Sequence, residues 1–138
     1  MSLPFHYVDL RSFCYETEDE DRVAAALRTF LPDEVSLERS ESEGHHGDRI
    51  VVLSTRVERQ DEMRHVFARI RRSVDLDRIR AELDERIDEN NAFFLQFDKQ
   101  AAYQGRVELG SGIRFRAKVE AYPATRDAAL ENARDVLE

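Results

Sequence analysis

Two periodicities interleave along this 138-residue chain, and their order predicts an α+β fold: a two-layer sandwich whose largely antiparallel, open sheet carries helices on one face. The first observation is the element order, β-α-β-β-α-α-β-β-α. The second lies in residues 113–121, where Ile113, Phe115, Ala117, Val119 and Ala121 alternate with Arg114, Arg116, Lys118 and Glu120. A strand covered on both sides reads as a continuous apolar run, so one face of this sheet is expected to meet water.

Residues 5–15, "FHYVDLRSFCY", alternate and are rich in aromatic and β-branched side chains, which predicts the first strand. Val8, Leu10, Ser12 and Cys14 form one parity; Tyr7, Asp9, Arg11 and Phe13 form the other. Thr17 followed by Glu20 has the spacing of a capping box, and Glu18, Asp19 and Asp21 suit the positive end of a helix dipole. Val23, Ala26, Leu27 and Phe30 then make a buried helical stripe that Pro32 ends.

Val35, Leu37 and Arg39 begin a second strand and Ile50–Thr55 form a third, joined by a polar connection at 40–48. Met63, Val66, Phe67 and Ile70 line a second helix, which opposes them with Arg64, Arg69, Arg71 and Arg72. Asp75 caps a third helix, with Leu76, Ile79, Leu83 and Ile87 inward. Phe93, Leu95 and Phe97 share one side of the next strand. A long connection with Gly105, Gly110 and Gly112 leads to the 113–121 strand. Pro123 stops that strand, and Thr125 caps a final helix faced by Ala129, Ala133, Val136 and Leu137.

The length suits one domain spanning 1–138. Hydrophobic residues at 41% and charged residues at 36% predict a soluble globular protein, with no apolar run long enough for a membrane span and no signal-peptide pattern. A single cysteine, Cys14, fits a reducing cytoplasm. Twenty-nine acidic residues against 21 basic ones give a formal net charge of −8, and Lys99 and Lys118 are the only lysines. Such an acidic, lysine-poor surface predicts salt adaptation. It argues against indiscriminate nucleic-acid binding while leaving room for a local basic face.

Four stretches offer chemistry. "EGHHGDR" at 43–49 holds two histidines between glycines, but adjacent residues of an extended segment point apart and no further ligand is suitably spaced, so a turn is expected rather than a metal site. Arg114, Arg116 and Lys118 project from one strand face about 7 Å apart, near the spacing of phosphates in an extended nucleic acid. Arg11 shares the sheet face, and Tyr7 and Phe94 offer rings for base stacking. The helical arginines 64–72 have acidic neighbours and read mainly as a solvated or ion-paired flank. In "FDKQ", Asp98 points outward and Lys99 toward the core, so either the strand ends near Phe97 or Lys99 snorkels.

Taken together, "YETEDEDRV", "EGHHGDRIVVL", "FFLQFDKQAAYQG" and "VEAYPATRDAALENAR" resemble, in order, an archaeal family of RNA-binding domains described as predicted exosome-associated RNA-binding proteins. The similarity runs from about Phe5 to Arg134 and includes Glu43, Gly44, His45, Gly47 and Ile50, then Phe97, Asp98, Lys99, Gln100, Tyr103 and Gly105. His46 stands where an aromatic residue is expected. The resemblance implies a fold similar to the ribosomal protein that binds 5S RNA, RNA and RNA-processing complex subunits as partners, and a non-catalytic accessory role in RNA processing or degradation. It carries over no catalytic residue.

The resulting expectation is an RNA-binding face on which Arg114, Arg116, Lys118 and Arg11 neutralise phosphate and Tyr7 and Phe94 stack. His45 and Arg49 of the hairpin would form one edge, and no metal or cofactor is called for. The alternative is a homodimer or assembly module using the same face without RNA; an enzyme ranks third.

Overall fold

The computed structural model describes residues 2–138, so Met1 of the expected 1–138 domain lies outside the described residues. The alternating segments become β1 (Phe5–Cys14), β2 (Glu38–Glu43), β3 (Arg49–Val57), β4 (Ala92–Asp98) and β5 (Gly112–Val119). The helical stripes become α1 (Glu20–Arg28), α2 (Gln60–Arg71), α3 (Leu76–Ala81), α4 (Leu83–Arg86), α5 (Lys99–Tyr103) and α6 (Arg126–Val136). All neighbouring strands are antiparallel, in the order β2-β3-β1-β5-β4, so the first strand of the chain is the middle of the sheet.

Alternation decides which face is dry. Val8, Leu10 and Cys14, Val51, Leu53 and Val57, Phe93, Leu95 and Phe97, and Ile113, Phe115 and Ala117 are all buried. They share one core with Val23, Ala26 and Leu27 of α1, Met63, Val66, Phe67 and Ile70 of α2, and Ala129 and Ala133 of α6. Six phenylalanines are almost wholly enclosed, with Phe5 edge-on to Phe67 at 5.7 Å and Phe93 edge-on to Phe115 at 6.0 Å. Each such burial is worth about 1.5–3 kcal/mol, so this core dominates the packing energy. The predicted α+β sandwich, open on one side, is the fold observed.

Four local expectations change. The Thr17–Glu20 capping box does not form: α1 starts at Glu20, and Asp19 caps it by accepting from the Asp21 N–H at 2.9 Å. Glu18 is drawn elsewhere, closing a turn onto Tyr15 and meeting Lys99. The 40–43 part of the expected connection is strand, because an edge strand exposed on both faces needs no apolar residue; the turn is 44–48 only. The third helix breaks at Glu82 into α3 and α4. A short helix, α5, follows β4 directly, so the observed order has eleven elements where nine were expected.

Candidate nucleic-acid interface

Register places the outward side chains in rows across the uncovered face. One row runs Glu38, Ser54, Arg11, Arg114, Gln96 from β2 to β4. The next runs Arg56, Asp9, Arg116, Phe94, and the third sets Tyr7 opposite Lys118. Arg11 and Arg114 are therefore directly opposite on neighbouring strands, and Arg116 is two residues along from Arg114. Among the described residues, none of these three has a carboxylate within ion-pair distance. Asp9, which lies between Arg56 and Arg116, accepts two hydrogen bonds from Arg56, at 2.8 and 3.0 Å. The Arg116 Nε–H is buried without a hydrogen-bond partner.

These residues line a groove of about 450 Å³, bounded by Asp9, Arg11, Glu38, Ser54, Arg56, Arg114 and Arg116. A second hollow of about 510 Å³ shares Arg11 and Arg114 and continues toward Phe13, Tyr15, Phe94 and Gln96. Like charges held opposite one another in a sheet repel, so the pattern makes little sense as a stability device. It makes physical sense as a receptor for an anion, to which guanidinium groups donate in bidentate fashion.

Other expected site residues are placed differently. Arg49 shares the parity of Val51 and Leu53, so it lies on the helix side and approaches Glu41 at 3.6 Å and Glu20 at 3.9 Å. His45 sits exposed in the 44–48 turn, beyond the Cys14–Val51 pair where β1 stops. The hairpin thus does not join the arginines. Lys118 is on the open face, but its ammonium donates to the Asn90 carbonyl. Tyr7 carries the Arg56 guanidinium over its ring at 3.8 Å, and Phe94 carries Arg114 at 4.8 Å and Arg116 at 5.9 Å; Phe13 likewise has Arg11 at 5.4 Å and Tyr15 has the Lys99 ammonium at 5.5 Å. Of the helical arginines, Arg69 donates to the Gly105 carbonyl at 2.6 Å and Arg71 to Val136 at 2.9 Å. They fasten α2 to a loop and to the C-terminal helix.

Sequence parity missed Phe13 and Tyr15 as site residues, although Phe13 lies on the same alternating set as Arg11 and its aromatic character was legible. Both rings are exposed. It also left "FDKQ" open. Here β4 ends at Asp98, whose carboxylate accepts from the Ala101 N–H at 2.9 Å and starts α5. Lys99 turns inward, donating to Glu18 at 2.9 Å and to the Phe13 carbonyl at 2.5 Å, while Tyr103 donates to the other Glu18 oxygen at 2.9 Å. Burial works to raise the Glu18 pKa, yet hydrogen bonds from Lys99, the Tyr15 N–H and Tyr103 hold it below the usual carboxylate value. Burial, helped by Glu18, pushes Tyr103 up to about 12.

No group of three or more His, Cys, Asp or Glu among the described residues is arranged to hold a metal, and no helix there is long and apolar enough to cross a membrane. A family model described as RNA binding matches residues 7–119. A protein of Pyrococcus abyssi described as an RNA-binding protein is 32% identical, covering 99% of this chain and 96% of its own. The solved structure of a DUF54 protein from Methanothermobacter thermautotrophicus is 39% identical with a TM-score of 0.83, covering 97% of this chain and 98% of that one. A DUF54 structure from Archaeoglobus fulgidus is 28% identical with a TM-score of 0.87, at 96% and 99% coverage.

Proposed function

The chain belongs to the RNA-binding family matched over residues 7–119, and on that premise we propose that it binds RNA, without catalysis, on the open face of its sheet. The observation that carries this reading is the cluster of Arg11, Arg114 and Arg116, adjacent on that face and, among the described residues, without a carboxylate at ion-pair distance, in a chain of net charge −8. These three donate to phosphate oxygens. Lys118 lies at the edge of the same face. Arg56 is held by Asp9 and shapes the groove rather than contacting RNA. The His45 hairpin takes no part.

The role that fits is an accessory one in RNA processing or degradation, in which the domain retains RNA beside processing subunits such as those of an exosome. The acidic, lysine-poor composition fits a salt-rich cytoplasm. At 1 M salt the screening length is about 3 Å and counterion release contributes little, so binding there rests on close hydrogen bonds and stacking. Arginine supplies both, since its planar guanidinium stacks and donates in pairs.

The test is Arg114→Glu/Arg116→Glu. RNA retention at moderate salt should fall sharply, with molecular mass unchanged and the fold no less stable. Crosslinking to RNA in the native salt should map to peptides of β1 and β5. Unaltered retention refutes the reading. A change in oligomeric state favours instead an interaction module working through this face, a reading supported by the exposed Phe13 and Tyr15 rings.

A further inference from the structure

Resting on that reading, we propose that the RNA held is single-stranded and that Phe13 and Tyr15 form the platform on which two of its bases stack. Phe13 is 39% exposed and Tyr15 51%, an unusual placement for two large rings that follow each other at i and i+2 at the end of the central strand. They line the same hollow as Arg11 and Arg114, so the aromatic surface continues directly from the cationic one. Charge complementarity thus selects a polyanion, and the rings select one whose bases are accessible.

Spacing decides between strand and duplex. The ring centroids are 6.4 Å apart and tilted by 40°. Consecutive bases in a stacked strand lie roughly 3.4 Å apart, so one base per ring requires a backbone drawn out to nearly twice that step. A duplex keeps its bases inside, where a sheet surface cannot stack on them. An extended single strand satisfies both surfaces: phosphates at Arg11, Arg114 and Arg116, then bases at Phe13 and Tyr15.

The platform is pre-formed, which lowers the ordering cost of binding. The Tyr15 N–H donates to Glu18 at 3.0 Å, and the Tyr15 carbonyl accepts from the Glu18 N–H at 2.9 Å. Lys99, itself tied to Glu18 and to the Phe13 carbonyl, sets its ammonium 5.5 Å from the Tyr15 ring centroid. The half-buried Glu18–Lys99–Tyr103 cluster therefore acts as a positioning device for Tyr15. Gly112, at φ +111°, lines the same hollow, and a Cβ there would come within 2.6 Å of the Lys99 Cβ, so its lack of a side chain lets Lys99 hold this position.

The experiment measures anisotropy of a short labelled oligoadenylate, free and annealed to its complement, against wild type, Phe13→Ala/Tyr15→Ala, Phe13→Leu/Tyr15→Leu and Arg114→Glu/Arg116→Glu. Wild type should prefer the single strand. Loss of each ring should weaken single-strand binding about tenfold, in the leucine pair as in the alanine pair, with the salt dependence unchanged. The glutamate pair should instead flatten that salt dependence. If the ring variants bind like wild type while the glutamate pair does not, the platform is wrong and the RNA-binding reading stands. If wild type binds neither probe, or the glutamate pair binds as wild type does, that reading itself falls. Equal affinity for the duplex overturns the single-strand assignment. A ring variant that converts a wild-type dimer into a monomer overturns it too, by making the patch an interface between copies.

Discussion

Arg114→Glu should stabilise the fold while removing part of the proposed binding site. In the native register Arg114 faces Arg11 directly, with Arg116 two residues along on the same side. Like charges opposite one another in a sheet are destabilising on the order of 0.2–1 kcal/mol, and opposite charges stabilise by a similar amount. Reversing the sign at 114 therefore swings the pair by about 0.5–1.5 kcal/mol. Against this stands the lost stacking on the Phe94 ring, 4.8 Å from the guanidinium, worth about 0.5 kcal/mol at an exposed site. The net expectation is a gain on the order of 0.5 kcal/mol, or about 1–3 °C in Tm for a domain of this size. The gain is electrostatic between exposed groups, so it should be present near 0.05 M salt and vanish near 1 M, where screening acts within about 3 Å. Thermal melts of wild type and variant at the two salt concentrations measure it. A variant less stable than wild type at low salt, or a difference indifferent to salt, would show that these guanidinium groups do not repel one another and that the face is no strained cationic receptor.

Two further outcomes concern the half-buried Glu18–Lys99–Tyr103 cluster. Gly112→Ala places a Cβ 2.6 Å from the Lys99 Cβ at a φ of +111°, so Lys99 must shift away from Glu18 and Phe13. The urea midpoint should fall by a stability loss of about 2 kcal/mol or more, and an unchanged midpoint would mean that the loop accommodates the methyl group freely. Tyr103 holds its proton more tightly when folded, raised from 10.0 to about 12 by burial and then by Glu18. Its contribution is thus fully present below pH 10 and is lost as pH rises from 10 toward 12. Denaturant midpoints across that range should decline in wild type more than in Tyr103→Phe, and parallel curves would contradict the assignment.

The core was legible because burial imposes strict periodicity. Phe93, Leu95 and Phe97, or Met63, Val66, Phe67 and Ile70, cannot face water together, and each set lies where its spacing put it. What the sequence hid was decided by long-range pairing. The Thr17–Glu20 spacing looked like a cap, yet Arg39, distant in sequence, takes the Glu20 carboxylate and the cap is Asp19. β2 escaped through residue 43 because "ERSESE" has no apolar side chain to announce a strand. Parity brought Arg11, Arg114 and Arg116 to one face, but which cation finds a carboxylate depends on cross-strand register. Arg49 was expected at one edge of that face and lies on the opposite side, against Glu41.

Asp9 shows how far that register governs the electrostatics of the open face. It is a carboxylate flanked by Arg56 on β3 and Arg116 on β5, and equal sharing would neutralise the centre of the sheet. Arg56 is held on a second side by the Tyr7 ring at 3.8 Å, which fixes its plane for a two-pronged approach to Asp9. Arg116 rests over Phe94 with its Nε–H unpartnered, and has no such alignment. The two rings thus also act within the sheet: Tyr7 holds the guanidinium that takes the carboxylate to one side, and Phe94 lies against both Arg114 and Arg116. An acidic chain can in this way keep a cationic patch without changing its net charge, because what matters to a polyanion within a Debye length of the sheet is the local pairing pattern rather than the total of −8.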